Sequence, residues 1–322
     1  MYNSQKYILK QLDSIRNQSV KVDEVILVDD ASTDKTILIV QDYIKKYQLY
    51  SWKLYFHESN KGFIESFTDA ISYAQFDIII LCDHDDMWCQ DKVKIIKETF
   101  ESNLNVKALA TSFYIIDEND NIKIKRNRWT RSNNNLIRRR VKRNSLNKMS
   151  IYDVAVYNIS PGCTCAFNSE IKEEFLKHNG ILPHDWKICL IAACLDGLYY
   201  LDIKTTKYRI YDKNTIGLGH ESELDKRKKI IEKEILQKKE MLKVIQLYQG
   251  ENSVYALYMK KIISIFMERN ELLGTGKILF KGGVVLLHAF HKGHIIDSVG
   301  FDIWTIIRNY LDSFNETNKK VM

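Results

Sequence analysis

A short apolar run that ends in a cluster of aspartates is the feature that most constrains this sequence. Residues Ile78 to Cys82 are all apolar and rich in β-branched side chains. Such a run is typical of a strand buried on both faces, as in a parallel sheet. Asp83, Asp85 and Asp86 follow directly, at the position where open α/β sheets form their ligand crevices. The sequence therefore predicts an α/β fold with an acidic site at this edge of the sheet.

The aspartate cluster can be interpreted in two ways. Carboxylates this close together repel each other unless a positive charge lies among them, and clustered oxygen ligands suit Mg²⁺ or Mn²⁺. A metal ion held there could in turn bind a diphosphate. The alternative is a solvated acidic turn that merely ends the strand. The strand before the cluster and Trp88 after it favour a site.

Strand-like and helix-like patterns alternate three times before residue 90. The strand predicted over Glu24 to Val28 also ends in carboxylates, Asp29 and Asp30. The strand predicted over Trp52 to His57 leads into a loop whose Gly62 suits a positive φ or a close approach of the backbone. This alternation indicates a doubly wound, parallel sheet.

The second half of the chain predicts a buried helix and then a helical extension. Asp185 would lie in the first turn of a nearly all-apolar helix, where the helix dipole favours a carboxylate. A structural role there and a catalytic role are equal alternatives. From Ser222 onward, charged amphipathic helices predict an extension. We expect one domain over residues 1–217 and the extension over residues 218–322.

The formal net charge of +7 is concentrated in one stretch. Lys123 to Lys148 carries many lysines and arginines and no acidic residue. Because aromatic residues are scarce in it and no nucleic-acid module is recognisable, we predict no nucleic-acid partner. The alternatives are a solvated loop and attraction to substrate phosphates or to an anionic membrane face.

The cysteines and the hydropathy pattern bear on the cellular location. The six cysteines lack the spacing of a zinc site, and several lie in apolar surroundings where cysteine packs as a small hydrophobe. We therefore expect reduced thiols and a cytoplasmic protein. No apolar run approaches the ~20 residues that a spanning helix needs, so any membrane association would be peripheral.

Five segments, taken in order, resemble family 2 of the inverting nucleotide-sugar glycosyltransferases. They are Tyr2-Asn3-Ser4, Val28 to Asp34, Asn60-Lys61-Gly62, Asp83 to Trp88 and His184-Asp185-Trp186. With Tyr208-Arg209 and Asn214-Thr215-x-Gly217 after the last predicted strand, the sequence is most similar to the bacterial rhamnosyltransferase-type branch. The resemblance implies the GT-A fold, a Rossmann-like α/β fold with a mixed, mainly parallel sheet flanked by helices.

The resemblance also implies a role for each matching residue. Asp185 would be the general base that deprotonates the acceptor hydroxyl. Asp30 would hydrogen-bond the base of the donor, and Asp29 would support its loop. Asp85 and Asp86 would hold the donor ribose and the metal ion, Mg²⁺ or Mn²⁺. The remaining donor-binding residues would be Asn3, Asn60, Gly62, Asp83 and, as a weaker inference, Arg209.

The function implied is transfer of a sugar from dTDP-rhamnose or a UDP-sugar to a lipid-linked saccharide. The product would be a capsule, O-antigen or exopolysaccharide, made at the cytoplasmic face of the membrane. Members of this family normally begin with an apolar strand before the Tyr-Asn pair, which here follows Met1. We therefore expect the first strand to be missing, and the alternatives are a translation start upstream, a replacement of the strand by another segment, or a truncated protein. The alternative function is a non-catalytic scaffold in an assembly complex.

Overall fold

The computed structural model describes residues 1–123, 141–210 and 223–275. Contacts divide the chain into two compact units, Met1–Asn214 and Thr215–Met322. Most of the basic stretch, the Asn214-Thr215-x-Gly217 segment and the last predicted helices lie outside the described residues. The domain boundary predicted after residue 217 stays a prediction.

The first unit begins with the predicted alternation of strands and helices. Strand β1 (Val25–Asp29) pairs in parallel with strand β2 (Trp52–Phe56). The surrounding helices are α1 (Ile8–Arg16), α2 (Thr36–Lys46) and α3 (Phe63–Tyr73). Apolar residues at helical spacing turn one face of α1 towards the interior. One core cluster contains Ile8, Leu12, Ile15, Leu27, Val40, Tyr43, Trp52, Trp88 and Val93.

A second sheet carries the aspartate-rich segment. Its strands are β3 (Ile78–Ile80), β4 (Met87–Trp88), β5 (Ala108–Ile116), β6 (Ile122–Lys123), β7 (Leu146–Lys148), β8 (Cys165–Asn168) and β9 (Leu198–Arg209). The strand order is β3-β8-β5-β9-β4, with β6 beside β5 and β7 beside β9.

The mixed α/β fold is confirmed, but strand direction differs from the prediction. Among the described strands of the second sheet, β5 and β9 pair in parallel and the other pairs are antiparallel. The sheet is therefore mainly antiparallel rather than mainly parallel. One reason is β8, which follows a 3₁₀ turn at Gly162–Thr164 and runs between β3 and β5 in the opposite direction.

Four helices accompany this second sheet. They are α4 (Lys92–Ser102), α5 (Ile151–Val154), α6 (Ser169–Leu176) and α7 (His184–Cys194). Helix α7 is buried along nearly all of its length, as its apolar sequence predicted. Its first turn carries Asp185, so the prediction for the position of this residue is confirmed.

A cavity of about 420 Å³ separates the two sheets. Strands β1 and β3 form two of its walls, and residues of α3 and α4 line it. Strand β3 is consequently only partly buried, whereas the sequence predicted burial on both faces. Among the described strands, β1 pairs with β2 alone. The missing first strand itself stays a prediction.

The Met1 backbone pairs with the end of β1. The amino group of Met1 donates to the Val28 carbonyl oxygen at 2.5 Å. The Asp30 N–H donates to the Met1 carbonyl oxygen at 2.8 Å. These two hydrogen bonds have the pattern of a parallel strand pairing, so Met1 extends the end of the first sheet by one residue.

The second unit contains two helices within its described part, α8 (Glu223–Gln249) and α9 (Val254–Thr275). The turn between them includes Gly250, whose φ of 89° suits glycine. The prediction of a helical C-terminal region is confirmed. Of the described helices, none combines the length and the apolar character that crossing a membrane requires.

Candidate active site

The end of β1 places two buried carboxylates with different partners. Asp29 accepts hydrogen bonds from the Ser32 N–H at 2.8 Å and from the Ser32 hydroxyl at 2.6 Å, which closes the loop after the strand. Asp30 accepts from the Lys61 and Gly62 N–H groups, both at 2.8 Å. Burial alone would raise the pKa of Asp30, but these bonds and the one to His57 lower it.

The predicted donor-binding residues around Asp30 have separate roles in the structure. Asn3 accepts a hydrogen bond from the Thr33 N–H at 2.9 Å, so it fastens the N-terminal segment to the loop after β1. Gly62 has a φ of 86°, as predicted, and a non-glycine residue would be strained there. Asn60 is exposed. Their contacts with a donor stay predictions.

The loop after β3 brings two aspartates and a cysteine together. Ligand atoms of Asp83, Asp86 and Cys163 all lie within 4.8 Å of one another. Burial, followed by the charges of the neighbouring aspartates, raises the pKa of Asp83 well above its usual value. Burial and the charge of Asp85 raise the pKa of Asp86 to about 7. The loop is therefore a site of crowded negative charge that a cation would relieve.

A buried lysine partly balances this charge. The Lys92 ammonium donates to the Cys163 carbonyl oxygen at 2.5 Å and to the Thr206 hydroxyl at 2.9 Å. Burial lowers its pKa. Its charge lowers the pKa values of Asp83 and Asp86, but by less than burial raises them.

The donor set fits a divalent cation. Asp86 is 1% exposed, and within the described part of the chain its Oδ2 has no hydrogen-bond partner. A buried carboxylate oxygen without a partner is costly, and a metal ion would satisfy it. The sequence predicted Asp85 and Asp86 as ligands, whereas the structure groups Asp86 with Asp83 and Cys163. Asp85 as a ligand stays a prediction.

Arg209 holds the aspartate-rich loop in place. Its backbone N–H donates to Asp86 Oδ1 at 2.8 Å, and its Nε donates to the Asp85 carbonyl oxygen at 2.7 Å. Its guanidinium also contacts the Asp117 carbonyl oxygen at 2.8 Å and Asp120 at 2.6 Å. The side chain is fully buried. The predicted contact of Arg209 with the donor stays a prediction, and the contacts seen are those of a residue that positions the loop.

Asp185 lies in a partly buried position at the start of α7. Its Oδ2 accepts from the Asn158 side-chain amide at 2.8 Å, and its Oδ1 accepts from the Trp186 N–H at 2.8 Å. Burial outweighs these bonds and raises the pKa of Asp185 to about 6. The charge of Asp185 also contributes to the raised pKa of Asp83. The two acidic positions therefore belong to one electrostatic environment.

The neighbours of Asp185 leave little room around it. A Cβ atom at Gly162 would lie 3.2 Å from His184 Nε2 and 3.4 Å from Asp185 Cβ. The His184 ring stacks on Phe67 with 3.7 Å between the ring centroids. Burial lowers the pKa of His184 to about 3, so this histidine is neutral. Glycine at residue 162 thus permits the close approach of the 3₁₀ turn.

Sequence analysis missed several residues of this site. His57, Asn158 and Cys163 contact the predicted aspartates, but each is distant from its partner along the chain. The Pro161-Gly162 pair before Cys163 is the available signal of a tight approach in the sequence.

A family model shows what the chain is related to. The model described as glycosyl transferase family 2 matches residues 1–161. A Shigella flexneri protein named dTDP-rhamnosyl transferase is 25% identical over 230 residues, which cover 67% of this chain and 72% of that protein. An uncharacterized Mycobacterium bovis protein is 37% identical over 99 residues, which cover 30% of this chain and 28% of that protein.

Similar solved structures support the fold. Staphylococcus aureus TarS residues 1–349, in a complex with UDP, gives a TM-score of 0.56 at 14% sequence identity, covering 100% of this chain and 90% of that chain. At this identity the likeness shows the GT-A fold alone. Because the family model covers half of the 322 residues, the chain belongs to glycosyl transferase family 2.

Proposed function

We propose that this protein is an inverting glycosyltransferase that moves a sugar from a nucleoside-diphosphate donor to a saccharide hydroxyl. The observation that carries the proposal is Asp185, a carboxylate with a pKa raised to about 6. Its charge acts on Asp83 of the acidic loop. A general base works best when its pKa is near the working pH, and here it would share a cleft with a site suited to a metal-bound diphosphate.

The chemistry follows from these two positions. Asp185 would take the proton of the acceptor hydroxyl while the oxygen of that group attacks the anomeric carbon. The new carbon–oxygen bond forms as the bond from the anomeric carbon to the diphosphate oxygen breaks. The electrons of the broken bond leave with the nucleoside diphosphate. Attack on the face opposite the leaving group inverts the anomeric centre.

Asp83 and Asp86 are the residues that would hold the divalent cation, and Asp85 is the further predicted ligand. The cation would be Mg²⁺ or Mn²⁺, given the carboxylate ligands. When bound, it supplies positive charge that stabilises the departing diphosphate. Arg209 would keep the loop in the geometry that binding requires, through its bond to the Asp85 carbonyl oxygen.

The donor and acceptor are finer proposals. Asp30 would bind the nucleobase, on a loop shaped by Asn3 and Asp29 and joined to Asn60 and Gly62. The similarity to a dTDP-rhamnosyl transferase supports dTDP-rhamnose as the first donor to test, with UDP-sugars next. We further propose a lipid-linked saccharide as acceptor, in capsule, O-antigen or exopolysaccharide synthesis at the cytoplasmic membrane face.

Binding of nucleotide sugars tests the proposal. Calorimetry with dTDP-rhamnose, UDP-glucose, UDP-galactose and their N-acetyl relatives, with and without Mn²⁺, should identify one donor that binds only with the metal. Asp86→Asn should abolish that binding, and the partly exposed Asp85→Asn provides a second variant if the first does not fold. Asp77→Asn, at an exposed position, is the matched control.

Two outcomes would contradict the enzyme. The first is that the wild-type protein binds none of these donors. The second is that a bound donor is never turned over when lipid-linked saccharide acceptors are supplied. Either result would favour the alternative of a non-catalytic scaffold. The cavity between the two sheets is the observation that supports that alternative.

A further inference from the structure

A buried histidine joins three elements around Asp30. His57 directly follows β2, and its side chain is 6% exposed. Its Nδ1 lies 2.7 Å from Asp30 Oδ1, and its Nε2 lies 2.9 Å from Asp69 Oδ2. Because Asp69 belongs to α3, the imidazole links the end of β1, the end of β2 and this helix.

Both ring nitrogens of His57 face a carboxylate oxygen. An ionised carboxylate only accepts hydrogen bonds, so each of these contacts is a hydrogen bond when the facing ring nitrogen donates. Charge-assisted bonds of this kind are shorter and stronger than neutral ones. The charged groups around the ring are Asp30, Asp69 and Lys61, whose Nζ lies 3.5 Å from Asp69 Oδ2.

Asp30 is consequently held in one orientation. Its Oδ1 receives the His57 ring and the Lys61 N–H, and its Oδ2 receives the Gly62 N–H. A carboxylate oxygen can accept two hydrogen bonds, so Oδ2 retains one acceptor position. The two backbone donors belong to the loop after β2, whereas the His57 bond alone ties the carboxylate to Asp69.

We propose that His57 is a positioning residue for nucleobase binding: anchored on Asp69, it orients the Asp30 carboxylate towards the base of the donor. This inference rests on the proposed function, since it assumes that Asp30 faces a base. It adds a residue that the five sequence segments do not contain, and it makes Asp69 on α3 part of the same unit.

Two substitutions separate the two contacts of the ring. The amide nitrogen of asparagine lies near the position of Nδ1, and that of glutamine lies near the position of Nε2. His57→Asn therefore keeps a side-chain donor to Asp30, whereas His57→Gln keeps a donor to Asp69 and leaves Asp30 with its two backbone donors alone. Asp69→Asn keeps an oxygen that can accept from the ring but removes the negative charge of the anchor, and it leaves Asp30 itself unchanged.

Calorimetry with Mn²⁺ and either UDP, dTDP or inorganic pyrophosphate provides the test. We expect His57→Gln to weaken nucleotide binding about tenfold, which corresponds to one lost hydrogen bond to a charged group. His57→Asn and Asp69→Asn should weaken it about threefold. Pyrophosphate, which has no base, should bind all variants as it binds the wild-type protein.

Three results would overturn the role of His57. One is equal nucleotide affinity in His57→Gln and the wild-type protein when both have the same melting temperature. Another is an equal loss of pyrophosphate and nucleotide binding, since that would indicate a general structural defect. If the His57 variants do not fold, unchanged nucleotide affinity in the Asp69→Asn variant would overturn the role of His57 instead. A wild-type protein that binds pyrophosphate but neither nucleotide would contradict the base site, whereas one that binds nothing would contradict the proposed function as a whole.

Discussion

Replacing Asp185 by asparagine should abolish sugar transfer and, relative to the wild-type protein, make the folded state more stable at pH 8 than at pH 4. The first effect follows because an amide cannot take the proton of the acceptor. The second follows because burial raises the pKa of Asp185 from 3.8 to about 6, so the ionised form is disfavoured in the folded state. Asparagine does not ionise, and its carbonyl oxygen can still accept the hydrogen bond from the Trp186 N–H.

The size of the stabilisation follows from the change in pKa. A rise of about two pKa units corresponds to about 3 kcal/mol of free energy. Since the pKa of the folded state exceeds that of the unfolded state, both states are protonated below pH 3.8 and the penalty is absent there. It develops as the pH rises from 3.8 to about 6 and is complete above that. Because Asp185 is partly exposed, solvent screening makes 3 kcal/mol an upper bound.

Urea unfolding at pH 4 and pH 8, followed by circular dichroism, measures the effect. The free energy of unfolding of Asp185→Asn, relative to the wild-type protein, should be about 1–3 kcal/mol larger at pH 8 than at pH 4. Asp77→Asn makes the same chemical change at an exposed position and should show no such difference. In the wild-type protein, kcat/KM should rise with pH through about pH 6 as Asp185 loses its proton.

Two results would refute this reasoning separately. A stability difference of the same size at pH 4 and pH 8 would mean that burial does not disfavour the Asp185 carboxylate. An Asp185→Asn variant that retains more than about one-hundredth of wild-type activity would mean that this residue is not the general base, since a positioned base contributes roughly 10²–10⁴-fold.

Three further predictions concern other parts of the first unit. Arg209→Lys removes the forked contacts with the Asp85 and Asp117 carbonyl oxygens and should weaken Mn²⁺ binding about tenfold by calorimetry; unchanged affinity would count against a positioning role. EDTA should abolish donor binding and Mn²⁺ should restore it, whereas donor binding in EDTA would exclude a metal-bridged diphosphate. Ser150→Ala should lower the free energy of unfolding by about 1 kcal/mol in urea, because Ser150 and Asp153 form a reciprocal cap at α5; no change would show that the cap adds nothing.

The sequence located the site because each part of it is a contiguous segment. Gly62 has the positive φ that its loop position predicted, and Asp185 lies in the first turn of its helix. In both cases the relevant physics is local, since it concerns backbone conformation or the field at a helix end. Residues within about one helical turn of each other in the sequence are enough to predict these two features.

The features that escaped sequence analysis depend on contacts between distant residues. Cys163 lies beside Asp83 and Asp86 only because β8 runs antiparallel to β3. Hydrophobic periodicity predicts that a strand exists but not its direction, so neither the antiparallel sheet nor the cysteine could be anticipated. The pairing of Asn158 with Asp185 is of the same kind.

The backbone N–H groups of β1 and β3 point either to the cavity between the sheets or to a neighbouring strand. The Val25 N–H donates to Ser51, and the Asp29 carbonyl oxygen accepts from His57. Successive residues of a strand direct their backbone N–H groups to opposite sides. The Ile26 N–H therefore points to the cavity, and the Leu27 N–H points to β2. The Leu81 N–H donates to the Cys165 carbonyl oxygen. The Ile80 N–H therefore also points to the cavity, whereas the Ile79 N–H points to β8.

Hydrogen–deuterium exchange should therefore be faster at Ile26 and Ile80 than at Leu27 and Ile79, although all four lie in strands. The cavity also removes the ladder of hydrogen bonds that would join β1 to β3 in one cooperative sheet. The β1–β2 half, which carries Asp29 and Asp30, is then expected to open as a foldon of its own, with a lower opening free energy than the sheet that carries the acidic loop. Nucleotide binding, which would engage both halves, should slow exchange in both together.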